Sequence, residues 1–148
     1  MLDRLIIVGS LLGGFIRLGN LMNSEIVGIP TQKPWAFVFA SIDLVPRHPA
    51  QLYEALFYFT IALILFLLWR SGRVHKYKGF LFGLGLSLIF IQRFLVEFLK
   101  ENQSGFEENL LLNMGQTLSL PLIAVGVFIM VCSFFRPRWC FIGINTVQ

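Results

Sequence analysis

Long apolar blocks alternate with short polar stretches along this chain. Leu52 to Trp69, Gly79 to Leu99 and Leu118 to Phe135 each approach the roughly 20 apolar residues that a helix needs to cross the hydrocarbon core. A weaker block near the N-terminus runs from Leu5 to Met22, with its uninterrupted apolar part ending at Arg17. The pattern predicts spanning helices at about 4–22, 52–69, 79–99 and 118–135. These form a single membrane domain of residues 1–138, followed by a short cytoplasmic tail, 139–148.

The connecting stretches differ in character. Residues 23–51 hold Pro30, Pro34, Pro46 and Pro49, which forbid one continuous helix, so a long external loop is expected there. Within it, Trp35 to Ala40 carries no charge and is too short to cross the membrane; a strand is open to it, and an interfacial segment lying against the headgroups is the preferred expectation. The short basic loop from Arg70 to Lys78 closes a helical hairpin, with His75 as a solvated loop residue. Lys100 to Gln116 is polar and acidic, with Gly105 and Asn113 as breakers. The last block has no ionisable residue, and Pro121 and Gly126 are tolerable in it because neighbouring helices can satisfy freed backbone groups; it reads as scaffold.

Composition agrees with a membrane protein: 56% of the 148 residues are hydrophobic, 16 are Phe, and only 14% are charged, too apolar for an ordinary soluble domain of this size. The net charge of +4 comes without a basic stripe interleaved with aromatics, so no nucleic-acid partner is expected. The cations report topology instead. Arg4, Arg70, Arg73, Lys76, Lys78, Arg136 and Arg138 fall on one side if all four blocks cross, which makes that side, and both chain ends, cytoplasmic. Leu5 to Ile16 has the length of a signal-peptide core, yet Arg17 follows it and no small-x-small cleavage site does. Cys132 and Cys140 have no metal-ligand spacing and fall at different depths, so they are bystanders; neither a metal nor a cofactor is expected.

Arg17 and Arg93 interrupt apolar blocks. An arginine near a helix centre costs roughly 2.5 to 3.5 kcal/mol, so it normally faces a partner, a cavity or a ligand. At a rise of about 1.5 Å per residue both lie roughly 20 Å from the inner ends of their helices, in the outer third of the bilayer. Two cations sharing one pocket need an anion between them. Arg93, Glu97 and Lys100 fall at i, i+4 and i+7 on one helical face, where Glu97 can brace either cation. The plainer alternative is that Arg93 and Glu97 only neutralise each other within a bundle.

Four ordered motifs narrow the reading. Arg17, Gly19, Asn20, Asn23, Glu25 and Gly28 keep a fixed spacing; Pro46-Arg47-His48-Pro49-Ala50-Gln51-Leu52-Tyr53-Glu54 is contiguous; Arg93-Phe94-Leu95-Val96-Glu97-Phe98 and Met114-Gly115-Gln116 with Leu118, Ser119 and Pro121 follow. Together they resemble the bacterial prolipoprotein diacylglyceryl transferases, over nearly the whole chain up to about Arg138. The resemblance implies an all-α integral membrane protein whose four helices correspond to the C-terminal part of a seven-helix fold. The family's N-terminal helices, and with them a catalytic His followed by two glycines, have no counterpart here. Lys100 stands where many members carry Arg, which keeps the charge and loses the bidentate fork.

That resemblance implies transfer of a diacylglyceryl group from phosphatidylglycerol to the lipobox cysteine thiol in a preprolipoprotein signal peptide, releasing glycerol phosphate, in the bacterial cytoplasmic (inner) membrane. The thiol belongs to the substrate. Arg17 is assigned to the lipid phosphate and Arg93 to the leaving group, with Asn20 and Glu25 orienting headgroup or arginine; these four form the expected catalytic set. Arg17, Asn23, Gly28, His48, Gln51, Tyr53, Glu54, Glu97 and Lys100 form the expected substrate-binding set. For His48 a loop-structuring role, and for Tyr53 a headgroup-anchoring one, stand beside the functional reading. The short length is read as that of a severed transferase that folds with an N-terminal fragment of the same enzyme. A non-enzymatic small membrane subunit with an intramembrane anion site is the rival reading.

Overall fold

The computed structural model describes residues 2–72, 74, 76–100 and 114–135. It contains four helices, α1 (Leu2–Met22), α2 (Ala50–Arg70), α3 (Phe80–Glu97) and α4 (Met114–Phe135), and a two-stranded ribbon of β1 (Phe37–Val38) and β2 (Pro46–Arg47). All four helices are long and apolar enough to cross a membrane. His75, Arg73, Cys140, the loop 101–113 and the expected tail 139–148 lie outside the described residues.

Burial runs opposite to that of a soluble domain. Ser10, Ser87, Ser119, Gln92, Arg17 and Glu54 are buried, whereas Leu11, Phe15, Leu63, Leu67, Leu95 and Phe128 are exposed. In lipid the apolar side chains gain nothing by leaving the surface, and the polar and small ones face inward to find partners and let helices approach. α3 is the central element: it contacts α1, α2 and, most extensively, α4, while α1 packs chiefly on α2. The α3–α4 approach is made by Gly83 and Gly126. A Cβ on Gly83 would lie 2.7 Å from the Gly126 carbonyl oxygen, and one on Gly126 would lie 2.5 Å from the Ser87 Oγ. A small apolar cluster of Ile61, Leu65 and Leu81, packed with Ile6 and Leu84, fills the inner half between α1, α2 and α3.

Helix ends are settled by tertiary contacts as much as by local sequence. α3 starts after Gly79, whose φ of +90° no ordinary side chain favours, and nothing on its own chain segment caps it. Instead the Asp3 carboxylate of α1 accepts the Gly79 N–H at 2.9 Å and the Phe82 N–H at 2.8 Å. A negative charge at the positive end of α3 locks the two helices together. At its outer end α3 stops at Glu97, two residues before the expected boundary, because the chain turns into backbone pairing. Ile29 N–H donates to the Leu99 carbonyl, and Gly28 and Lys100 form an antiparallel bridge. α4 begins at Met114, four residues before the expected span, while α1 and α2 each begin two residues early and α2 also runs on by one, to Arg70.

Of the two readings open for Trp35 to Ala40, the strand is present at two of its residues. Phe37 and Val38 form β1, antiparallel to β2 in the register Phe37↔Arg47 and Val38↔Pro46. On its other side β2 is bridged to residue 30, with Thr31 N–H donating to the Pro46 carbonyl and His48 N–H to the Ile29 carbonyl. The physical reason is backbone satisfaction: a loop at the membrane boundary meets its N–H and C=O groups best by pairing them. The result is a small cap across the C-terminal ends of α1 and α3 and the N-terminal end of α2.

Candidate functional site

A charged cluster beneath the cap is built from four helices and the cap. Arg17 sits on the inward face of α1, with Gly14 one turn before it so tight against Phe59 that a Cβ would approach the ring to 2.5 Å. That close approach lets Arg17 reach Glu54, in the second turn of α2. The Arg17 Nε and Glu54 Oε2 are 3.1 Å apart, and the Glu54 side chain is 0% exposed. On the other carboxylate oxygen, Lys100 Nζ lies 2.9 Å from Glu54 Oε1. Lys100 also lies 3.3 Å from Glu97 Oε2. Gly115, in the first turn of α4, has no room for a Cβ because the Glu97 carboxyl carbon would be 2.8 Å away, so α4 closes over that carboxylate.

Arg17, Glu54, Lys100 and Glu97 thus form one buried chain of alternating charge. Of the two cations within reach of Glu97, Lys100 takes it. Arg93 is half-buried in α3 and makes no hydrogen bond or ion pair among the described residues. Nor does Glu25 orient Arg17: its side chain is exposed, and the arginine is held by Glu54. Glu25 contributes its backbone instead, its carbonyl accepting from Gln51 Nε2 at 2.5 Å. Asn23 is exposed and Asn20 half-buried; the Asn20 carbonyl accepts the Glu25 N–H at 2.9 Å in the turn that ends α1. That turn carries Ser24 at φ 54° and the β-branched Ile26 at φ 56°, a conformation that costs such a side chain about 1 to 3 kcal/mol.

Gly28 is the keystone of the cap. A Cβ there would collide with the His48 carbonyl oxygen and lie 2.8 Å from the Leu99 oxygen. Its own N–H donates to the His48 carbonyl at 3.1 Å, and its carbonyl accepts from Arg47 Nη1 at 3.3 Å. Arg47 is fixed in turn by Asp43, Nη2 to Oδ2 at 2.6 Å; the bond from Arg47 holds the Asp43 carboxyl below its ordinary value. The Tyr53 hydroxyl accepts the Trp35 Nε1–H at 2.9 Å and lies 3.2 Å from His48 Nδ1, where it can donate its own proton. Tyr53 also lines a groove of about 430 Å³ between α2 and α3, walled by Leu56, Phe57, Thr60, Leu95, Val96 and Leu99.

Two features escaped the sequence reading. Asp3 is an ordinary first-turn acid in sequence, and only the fold shows that it caps α3. Gln92 is 4% exposed, with neither amide atom bonded among the described residues; an amide beside Arg93 in an apolar block was its available signal. The Gln51 Oε1 is likewise buried without a partner.

The family model of prolipoprotein diacylglyceryl transferases matches residues 1–132. The phosphatidylglycerol–prolipoprotein diacylglyceryl transferase of Bacteroides fragilis is 49% identical over 130 residues, covering 88% of this chain and 47% of the relative. The proteins of the same name from Tolumonas auensis and Chloroherpeton thalassium are 49% and 47% identical, over 88% and 87% of this chain and 50% and 48% of their own lengths. The chain therefore spans about half the length of the relatives it matches. No solved structure matches it. The ordered motifs around Arg17, His48, Arg93 and Gly115 fall inside the matched region, and the chain belongs to the prolipoprotein diacylglyceryl transferase family.

Proposed function

We propose that the charged cluster binds the phosphate of phosphatidylglycerol, and that the chain takes part in moving the diacylglyceryl group to the lipobox cysteine thiol of a preprolipoprotein. The observation that carries this reading is the charge balance. Among the described residues Arg17 and Lys100 are paired with Glu54 and Glu97, and Arg93, on the same helix as Glu97, has no partner. One phosphodiester monoanion would complete the set.

In the transfer, a thiolate sulfur bonds to the terminal glycerol carbon of the diacylglyceryl group. The bond from that carbon to the phosphate oxygen breaks, and its electron pair leaves with glycerol phosphate. Charge on the leaving oxygen grows in a medium of low dielectric, where a fixed guanidinium is worth most. Arg93 supplies it. Arg17, held through Nε by Glu54, keeps its Nη edge for the phosphate. The α2–α3 groove offers an apolar wall for an acyl chain. A thiol of pKa about 8.5 also needs a base. Glu54 is taken up by Arg17 and Lys100 and His48 by Tyr53, and we assign the base to the part of the relatives' length that lies outside the match.

The reading places the chain in the bacterial cytoplasmic (inner) membrane with both ends cytoplasmic, acting with an N-terminal portion of the same enzyme. Its test is expression of the chain together with the non-matching half of a relative, in cells depleted of their own transferase. A lipidation shift of a preprolipoprotein is expected. No shift, with both polypeptides present in the membrane, contradicts the proposal.

A further inference from the structure

At the opposite end of the bundle a second polar space opens. A cavity of about 970 Å³ lies where α1 and α3 begin and α2 and α4 end, lined by Arg4, Trp69, Lys78, Phe128 and Ser133 among others. Asp3 also borders it, but its two carboxylate oxygens each accept a backbone N–H of α3. The acid next to Arg4 in sequence is therefore engaged by α3 and forms no ion pair with Arg4. The Arg4 guanidinium lies 5.6 Å from the centre of the Trp69 ring and makes no hydrogen bond or ion pair among the described residues. Stacking on a ring leaves the N–H edge of the fork open to an anion. On the facing wall Ser133 is only 6% exposed, and its hydroxyl has no hydrogen-bond partner among the described residues. Leu81, Phe128 and Ile129 supply apolar lining.

We propose that this cavity binds an anionic phospholipid of the cytoplasmic leaflet, separately from the transferase site. The phosphate meets Arg4, the headgroup or ester oxygens meet the Ser133 hydroxyl, and the start of an acyl chain lies on Phe128 and Ile129. With both Asp3 oxygens accepting from α3, the Arg4 guanidinium, without an ion pair among the described residues, selects a negative ligand. The mixture of charge, aromatic ring and aliphatic wall at the ends of four helices selects one with a tail. Basic pockets between helices at the cytoplasmic boundary are suited to such headgroups.

The test uses the full chain in nanodiscs with a photoactivatable phosphatidic acid, its phosphatidylcholine analogue as the neutral control, and peptide mapping. Phosphatidic acid is expected to label the α4 segment from Phe128 to Ser133 several-fold more than the choline lipid does. Unlabelled anionic lipid should compete, and inorganic phosphate should not. Arg4→Gln and, independently, Ser133→Ala should each lower that labelling several-fold, while Arg17→Ala, at the other membrane face, leaves it unchanged whatever its effect on transfer. Equal labelling by both lipids, labelling indifferent to both cavity substitutions, or competition by free phosphate would overturn the assignment.

Discussion

Glu54 decides how the charged cluster holds together. Its carboxylate lies between Arg17 and Lys100 with no exposure, so removing it strands the buried Arg17 and leaves Lys100 with Glu97 alone. Glu54→Ala is expected to cost about 3 to 5 kcal/mol of stability, read as a lowered unfolding midpoint in detergent, while Asn23→Ala, on an exposed side chain, should stay within about 0.5 kcal/mol. Equal midpoints for the two variants would contradict the network. At this scale the sequence named most participants but not their pairing. Helical spacing set Glu97 beside Arg93, and that contact does not form; Arg17 found its carboxylate on another helix. Periodicity along one helix says which residues share a face, whereas partners across helices depend on rotation, which no local pattern records.

Gly28 and the pair Asp43 and Arg47 govern the cap as an element. Gly28→Ala puts a methyl group against the His48 and Leu99 carbonyls, so the 28–31 segment must leave β2 or the α3 exit. Faster amide exchange at Gly28, Ile29 and His48 is the expected result, and unchanged protection would refute it. Acid should act on the same element from the other side. Because the folded carboxyl of Asp43 is held below its ordinary value of 3.8, its contribution is complete above that value and disappears as pH falls through the lowered one. Amides of Val45 and Arg47 should then lose protection, and Asp43→Asn should produce the same loss at neutral pH. The prolines of this loop excluded a helix, but its ribbon was not legible. Two-residue strands leave almost no alternation to read, and their pairing is fixed by contacts with residues 28–31 and with α3.

For the whole molecule, four crossings were legible because hydrocarbon thickness imposes a minimum length of apolar sequence. Their arrangement was not. α4 lies on α3, away from the α1–α2 pair, because Gly83 and Gly126 allow two backbones to meet, and a glycine in an apolar block changes neither hydropathy nor charge. Gly126→Leu should force the helices apart at a cost of about 1 to 3 kcal/mol, measured by thermal unfolding, and should uncover the Glu97 carboxylate beneath Gly115. Wild-type stability in this variant would remove Gly126 from the interface.

Arg93 has no partner among the described residues and is proposed to hold the lipid phosphate, so the most direct measurement is the rate of preprolipoprotein lipidation with Arg93→Ala and Arg93→Lys beside wild type in the same complemented cells. Losing a preorganised charge at the leaving group should slow transfer by about 100-fold or more in Arg93→Ala. Arg93→Lys should fall between the two, keeping the charge without the fork. Arg93→Ala working at the wild-type rate, with the protein present in equal amount, would show that no phosphate depends on that side chain.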